Sequence, residues 1–230
     1  MTTAPAPAQV DPRLAPLREL ATAYARRNPV RRVAVVGNAP MEPSATRASQ
    51  IDACDLVVRV NSFVTDRPSD EPTQGSRVDM VLWSRLVPAT PFLFEGYSSR
   101  LYVLLEPMRM FGRREVWPRS WPADLGYVVA RNDAVAIPLN EALGTEWQQQ
   151  RLAPTTGTTG AWLALNLFPE AEVLVSGISF IDDAEQTEWR HQWGDSVGVG
   201  PEHRIGAEAA LLRRWVEEGR IRVLPLIGDF

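Results

Sequence analysis

Short runs of Val, Leu and Ile recur along the chain, and most of them are nearly continuous rather than alternating with polar residues. The strand-like runs are 31–38, 54–61, 77–83, 100–105, 125–131, 171–180 and 221–226. Continuous apolar runs predict strands that are covered on both faces, which is typical of a parallel sheet. Helices are predicted between them, at 11–27, 45–52, 158–168 and 204–218. The pattern indicates an α/β fold, a doubly wound Rossmann-like domain with a mainly parallel sheet of about seven strands.

Two segments lie outside this pattern. Residues 1–10 are rich in Ala, Pro and Thr and are predicted to be a disordered tail, so the single domain is expected to span 11–230. Asp11 and Pro12 are interpreted as the N-cap and first residue of the first helix. Residues 84–124 contain prolines, aromatics and arginines without a clear period. They are interpreted either as a lid or acceptor-facing insertion or as an ordinary packed loop.

Composition excludes several classes of function. A net charge of −4 and a pI near 5.3 argue against a general nucleic-acid binder. All 24 basic residues are Arg. Without Lys the chain can form neither a Schiff base nor the lysine contact of a Walker A loop.

Cysteine usage and the apolar runs indicate a cytoplasmic protein without membrane association. Cys54 is the single cysteine, so no intrachain disulfide and no CxxC metal site can form. The N-terminal residues lack the pattern of a signal peptide, and no apolar run reaches the roughly 18 residues of a membrane span. Assembly into a homo-oligomer is left open.

Two predicted strands end in residues suited to a nucleotide. The first ends in VVGNAP, which contains Gly37 and Asn38 but is not the GxGxxG fingerprint of NAD-binding proteins. The second ends in VVRVNSF, where Arg59 and Asn61 share one side at period two. Because parallel strands end at one edge, Asn61 is expected near Asn38, and two amides can hold a nucleotide. Alternatively, both asparagines belong to plain turns.

The segment APTTGTTGAW precedes an apolar helix and contains Thr155, Thr156, Gly157 and Thr158. Thr, Gly and the positive end of a helix together can form an anion site, here for a phosphate. Helix capping by Thr158 or Thr159 is the simpler alternative.

Both histidines of the chain lie in one late segment. His203 is placed in the first turn of the last helix, where the helix dipole disfavours the charged ring and leaves a general base. Glu208 can contact it only if His203 lies outside the helix. His191 lies among aromatics, and Asp195 can raise its pKa so that it acts as an acid. An exposed, idle role for His203 remains the alternative.

Metal ligation has weak support. Asp182 and Asp183 are adjacent but have no histidine at a suitable spacing, so they are interpreted as a solvated turn. No metal and no cofactor are expected.

Four segments together resemble the sialylmotifs of the eukaryotic-type sialyltransferase family. VAVVGNAP, QIDACDLVVRVNSF and GSRVD resemble the large motif, and RLAPTTGTTGAWLALNLFPEAEVLVSGISF resembles the small motif, whose strand ends in Gly177. HQWGD is similar to the third motif, although Gly194 interrupts it, and HRIGAE has the His-x4-Glu spacing of the very small motif. The four occur in the family's order.

The resemblance implies an inverting, metal-independent glycosyltransferase with a CMP-linked, sialic-acid-like donor and an unknown acceptor, in a bacterial-type cytoplasmic member. In it His203 is the base, His191 lies near the leaving phosphate, and Asp195 and Glu208 support them. The residues expected to bind CMP are Gly37, Asn38, Arg59, Asn61, Thr155, Thr156, Gly157, Thr158 and Gly177. The main alternative is a hydrolase of CMP-sugars or cytidine nucleotides that uses water in the same pocket. A non-catalytic nucleotide-binding module and a dehydrogenase are less favoured.

Overall fold

A computed structural model of the chain describes residues 10–85, 87, 89–105 and 117–227. Its centre is a seven-stranded sheet in which every neighbouring pair is parallel. The strands are β1 (Arg32–Val36), β2 (Leu56–Val60), β3 (Met80–Trp83), β4 (Leu101–Leu104), β5 (Val128–Val129), β6 (Glu172–Ser176) and β9 (Ile221–Val223). The predicted mainly parallel sheet of about seven strands is confirmed.

The strand order is β5-β4-β3-β2-β1-β6-β9. From β5 to β1 the chain order runs in one direction, and it reverses between β1 and β6. In a doubly wound sheet, such a reversal opens a crevice beyond the carboxyl ends of the two strands, and this crevice is the usual ligand site. The register of β1 with β6 places Val36 beside Ser176, so both strands end at the same level.

Helices cover both faces of the sheet. They are α1 (Ala15–Tyr24), α2 (Ala45–Asp52), α3 (Pro91–Phe94), α4 (Ala136–Leu143), α5 (Trp147–Gln150), α6 (Thr156–Leu167) and α7 (Ile205–Glu217). The main core buries Val33 and Val35 of β1 with residues of α6 and α7, whereas Ala34 and Val36 face a smaller core with Ile51 of α2. Alternate residues of β1 thus enter two cores, which explains its continuous apolar run.

The predicted helix starts need two corrections. The α1 helix begins at Ala15, and Asp11 instead closes a turn, in which its carbonyl accepts from the Leu14 N–H at 2.8 Å. The α7 helix begins at Ile205, so His203 precedes it and does not lie in its first turn. A proline close to a helix start, as Pro12 is, is compatible with helix but does not determine the first residue.

Sequence patterns did not predict an antiparallel hairpin of β7 (Glu188–Arg190) and β8 (Ser196–Gly198). Its strands have three residues each and are mostly exposed, so they lack a core-facing alternation. Residues 1–9 of the predicted disordered tail and residues 106–116 of the predicted insertion lie outside the described residues. The described parts of 84–124 pack around Trp83 and Tyr102 in a third apolar cluster. No described helix is both long enough and apolar enough to span a membrane.

Candidate functional site

Two glycines bring the ends of β1 and β6 into contact. The N–H of Gly37 donates to the Ser176 carbonyl at 2.8 Å, and a Cβ on Gly37 would lie 2.2 Å from the Gly177 oxygen. Gly177 has a φ of +70°, and a Cβ there would lie 2.6 Å from the Gly37 oxygen. Any side chain at either position would force the strand ends apart. Both glycines therefore shape the floor of the crevice at the sheet reversal.

Asn38 and Asn61 lie next to each other at this edge. The Asn38 side-chain amide donates to the Val60 carbonyl at 2.9 Å, directly before Asn61. Asn61 adopts a φ of +52°, which turns it out of the strand. Its Nδ2 then donates to Thr156 Oγ1 at 3.1 Å, and its Oδ1 accepts from the Ser84 N–H at 3.1 Å. The structure thus brings the two predicted asparagines together with the start of α6.

Arg59 does not reach this edge. Its side chain is fully buried and donates to the carbonyls of Gln74, Gly75 and Arg77 at 2.8, 3.0 and 3.2 Å. Burial lowers the pKa of Arg59 to about 10. The period-two pairing with Asn61 is wrong because the positive φ of Asn61 ends the alternation. Arg59 instead fixes the loop before β3.

The Thr-Gly segment caps α6, and part of it faces the edge. Thr155 is the N-cap, and its Oγ1 accepts from the Thr158 N–H at 3.2 Å. Thr158 is fully buried, and its side chain packs within the cap. Thr156 contacts Asn61, while a Cβ on Gly157 would lie 3.1 Å from the Ile178 side chain. The amides of Thr156 and Gly157, in the first turn, have no intrahelical acceptor. The segment therefore caps α6 through Thr155 and leaves two backbone donors at the start of the helix.

Glu208 supports the cap of α6 rather than His203. It is 1% exposed, and its Oε2 accepts from the N–H and the Oγ1 of Thr155 at 2.9 and 2.6 Å. Its Oε1 has no hydrogen-bond partner among the described residues. The predicted condition for a His203–Glu208 contact is met, because His203 lies outside α7, yet the carboxylate turns to Thr155. Glu208 thus ties α7 to the loop that carries the Thr-Gly segment.

His203 is anchored on the same loop. Its Nδ1 lies 2.8 Å from the Ala153 carbonyl oxygen, and the Ala153 N–H donates to the Glu202 carbonyl at 2.9 Å. A carbonyl can only accept, so this geometry assigns the proton to Nδ1 and leaves the lone pair on Nε2. Nε2 lies 3.6 Å from Glu202 Oε1, and the Trp189 ring packs edge-on at 6.2 Å. In this tautomer Nε2 can accept a proton.

His191 lies at the tip of the β7–β8 hairpin. Its Nδ1 hydrogen-bonds to Asp195 Oδ1, and its ring stacks on Trp193 at a centroid distance of 4.5 Å. Burial raises the pKa of Asp195, but hydrogen bonds from Trp193 and His191 outweigh it and hold the pKa below its ordinary value. Asp195 therefore keeps a negative charge beside His191 near neutral pH.

Two contacts that sequence reasoning missed join the hairpin to the crevice. The Gln192 N–H donates to the Asn38 carbonyl at 2.8 Å, and Gln192 Oε1 accepts from the Met41 N–H at 2.6 Å. No pattern in the sequence distinguishes Gln192 from other polar hairpin residues. These bonds hold Gln192, the residue after His191, against the turn that follows β1 and contains Asn38.

A short segment joins His203 to the asparagines. Ala153, which holds the His203 ring, is three residues from Thr156, which contacts Asn61. Three extended residues span at most about 10 Å. The anchor of His203 is therefore within about 10 Å of Thr156 at this edge, and Gln192, the residue after His191, is bonded to Asn38 at the same edge. Asp182 and Asp183 are exposed after the 3-10 turn Ser179–Ile181, and in the described ranges no group of three or more His, Cys, Asp or Glu could hold a metal ion.

Two solved structures of mammalian sialyltransferases have the same fold. One matches with a TM-score of 0.55 and 16% identity over 94% of this chain and 80% of its own. Another, in complex with Gal-β-1-3GalNAc-ortho-nitrophenol, matches with a TM-score of 0.53 and 18% identity over 95% of this chain and 74% of its own. No family model and no curated protein matches the chain. The likeness shows a sialyltransferase-like α/β fold.

Proposed function

We propose that the protein is an inverting glycosyltransferase that takes its sugar from a CMP-linked, sialic-acid-like donor and works without a metal ion. The observation that carries the proposal is the placement of two oriented imidazoles beside an amide-lined crevice at the sheet reversal. The sialyltransferase-like fold and the four sequence motifs support the choice of donor, and the neighbour whose structure contains a disaccharide derivative supports a sugar as the acceptor.

The CMP moiety lies against the carboxyl edge of the sheet in this proposal. Asn38 and Asn61 offer side-chain donors and acceptors to the nucleoside, and the first amides of α6, at Thr156 and Gly157, face the phosphate. Gly37 and Gly177 let the ligand approach the backbone closely. In this proposal Thr155 and Thr158 do not contact CMP, and their role is to hold the start of α6 in place.

The transfer step uses both histidines. The acceptor hydroxyl oxygen bonds to the anomeric carbon while the bond from that carbon to the CMP phosphate oxygen breaks. The electron pair of the broken bond leaves with CMP, and the hydroxyl proton moves to Nε2 of His203. A protonated His191 donates from Nε2 to the departing phosphate, while Asp195 holds its Nδ1. Attack from the side opposite the phosphate inverts the configuration.

The first test is calorimetric titration with CMP, UMP, GMP and NAD, on the wild type and on His203→Ala. We expect CMP to bind selectively and to bind His203→Ala equally well, because the base faces the acceptor rather than the nucleotide. Absence of CMP binding, or tighter binding of NAD, would falsify the proposal.

A second measurement follows CMP release from CMP-sialic acid, with and without sugar acceptors and with EDTA present. Acceptor-dependent release that persists in EDTA supports a metal-independent transferase. Release at the same rate without any acceptor, with free sialic acid as the product, would instead identify a hydrolase.

A further inference from the structure

An open cleft of about 480 Å³ adjoins His203 on the α7 side. Its walls are the α4–α5 connection, the loop after the 3-10 turn Ser179–Ile181, and the first turn of α7. Its polar lining residues are Thr145, Glu146, Gln150, Glu185, His203 and Arg204. This volume suits a small-molecule ligand. His203 lines this cleft, whereas Asn38 and Asn61 do not, and the link from His203 to the amide-lined crevice runs through Ala153, three residues before Thr156.

The charge of this cleft is unbalanced. Glu146 and Glu185 carry carboxylates on its walls, and neither makes an ion pair with any described residue. Arg204 is its basic residue, but its guanidinium donates to the carbonyls of Pro201 and His203 and to Gln150 Oε1 at 2.8 Å. These acceptors are neutral, so Arg204 keeps its positive charge while it fixes the turn before α7, and the two wall carboxylates still leave the cleft with a net negative charge.

Two further features favour a polyhydroxylated cation. Glu202 does not line the cleft, but its Oε1 lies 3.6 Å from His203 Nε2, the atom that would take the acceptor proton. Thr145 Oγ1 is buried at the wall and has no hydrogen-bond partner among the described residues. A ligand hydroxyl can satisfy Thr145, while an ammonium group can approach the carboxylates of Glu146, which accepts a neutral Gln150 N–H at 3.2 Å, and Glu185. A carboxylate or phosphate on the ligand would be repelled by them.

We propose that this cleft binds the acceptor and selects a polyhydroxylated molecule that carries a protonated amine. The inference rests on the proposed function, since it treats His203 as the base that deprotonates the acceptor hydroxyl. The amine lies near Glu146 and Glu185, and a hydroxyl of the same molecule lies at His203 Nε2. Glycosyl transfer then follows the step described above, and the amine stays unreacted.

The test compares three methyl galactosides: one with a 2-amino group, one with a 2-acetamido group and one with a 6-carboxylate. Binding of each to the CMP-loaded full chain is measured by saturation-transfer NMR, and transfer from CMP-sialic acid is measured as kcat/KM in about 50 mM NaCl. We expect the amine to exceed the acetamide by about threefold to tenfold and the uronate to be weakest, as for partly exposed charges. Salt at about 1 M shortens the Debye length to about 3 Å, so it should reduce these differences.

The decisive variants are Glu146→Gln and Glu185→Gln, alone and together. The double variant should bring the amine and the acetamide to within about twofold of each other. Glu217→Gln, at the exposed end of α7, is the matched control and should keep the wild-type preference.

The possible results separate the two proposals. If CMP binds and the donor is consumed, but the acetamide or the uronate is preferred, the acceptor inference is overturned and the transferase stands. An amine preference that survives the double variant also overturns it. If CMP does not bind at all, the proposed function fails, and this inference fails with it.

Discussion

His191 and His203 flank one edge of the sheet, yet the chain holds them in different ways. His203 hydrogen-bonds to the neutral Ala153 carbonyl, in a loop that α6 and α7 fix from both sides. His191 hydrogen-bonds to the charged Asp195, on a short hairpin whose Asp195 side chain is 53% exposed. The rings themselves are similarly covered, at 20% and 19% side-chain exposure. The two sites therefore differ in partner charge and support rather than in burial.

This difference matches the two proton roles in the proposed reaction. A carbonyl partner fixes one tautomer of His203 without adding charge, which leaves a lone pair at Nε2 for the acceptor proton. A carboxylate partner is compatible with a protonated His191, which can face the phosphate of the donor. The contrast implies that removing His203 and removing His191 should change transfer activity and CMP binding in different ways.

The largest expected effect comes from His203→Ala. Loss of the general base should lower kcat for transfer by about 10²–10⁴-fold and leave the Kd for CMP unchanged. His191→Ala should lower kcat by about 10²-fold and also weaken CMP binding, because it removes a donor to the phosphate. Discontinuous transfer assays measure kcat, and calorimetric titration with CMP measures the Kd. Equal effects of both variants on CMP binding would contradict the separate roles.

Glu208 provides the next test, because its hydrogen bonds lie in the loop of Thr155 and not in the β7–β8 hairpin that carries His191. Glu208→Ala leaves the buried N–H and hydroxyl of Thr155 without their acceptor. We expect the free energy of unfolding to fall by about 1–3 kcal/mol and CMP binding to weaken, since Thr155 caps the helix that begins at Thr156. Urea denaturation and calorimetry measure the two effects.

The matched control is Glu208→Gln, which keeps an accepting oxygen for Thr155 and should lose less stability than the alanine variant. If both variants bind CMP as the wild type does, Glu208 has no influence on the crevice. The same result would show that CMP binding does not depend on the hydrogen bonds between Glu208 and Thr155.

The sequence predicted the sheet well because β1, β2 and β6 are buried on both faces, and their apolar runs are continuous. It also placed Asn38 and Asn61 together, since parallel strands end at one edge. It failed for Arg59, because alternation holds only while the backbone stays extended, and the positive φ of Asn61 breaks it.

The remaining misses depend on contacts between distant parts of the chain. Glu208 pairs with Thr155, which is 53 residues earlier, and Gln192 of the hairpin pairs with Asn38 in the turn after β1. Local spacing carries no information about such partners. The turn before α7 was mistaken for helix because Pro201 and His203 suit either conformation.

The smallest expected effect concerns Cys54, which is buried just before β2 and reports on opening of the core there. Cys54 is fully buried, and burial raises the pKa of its thiol to about 11, which makes it unreactive at pH 8. Because the folded state holds this proton more tightly than the unfolded state, the thiol's contribution to stability is complete below about pH 8.5 and is lost as pH rises toward 11. Labelling with a thiol reagent at pH 8 should be slow in the wild type and in His191→Ala, and faster in Glu208→Ala through unfolding. Equally fast labelling of all three proteins would show that the core around Cys54 opens to the same extent whether or not His191 or Glu208 is replaced.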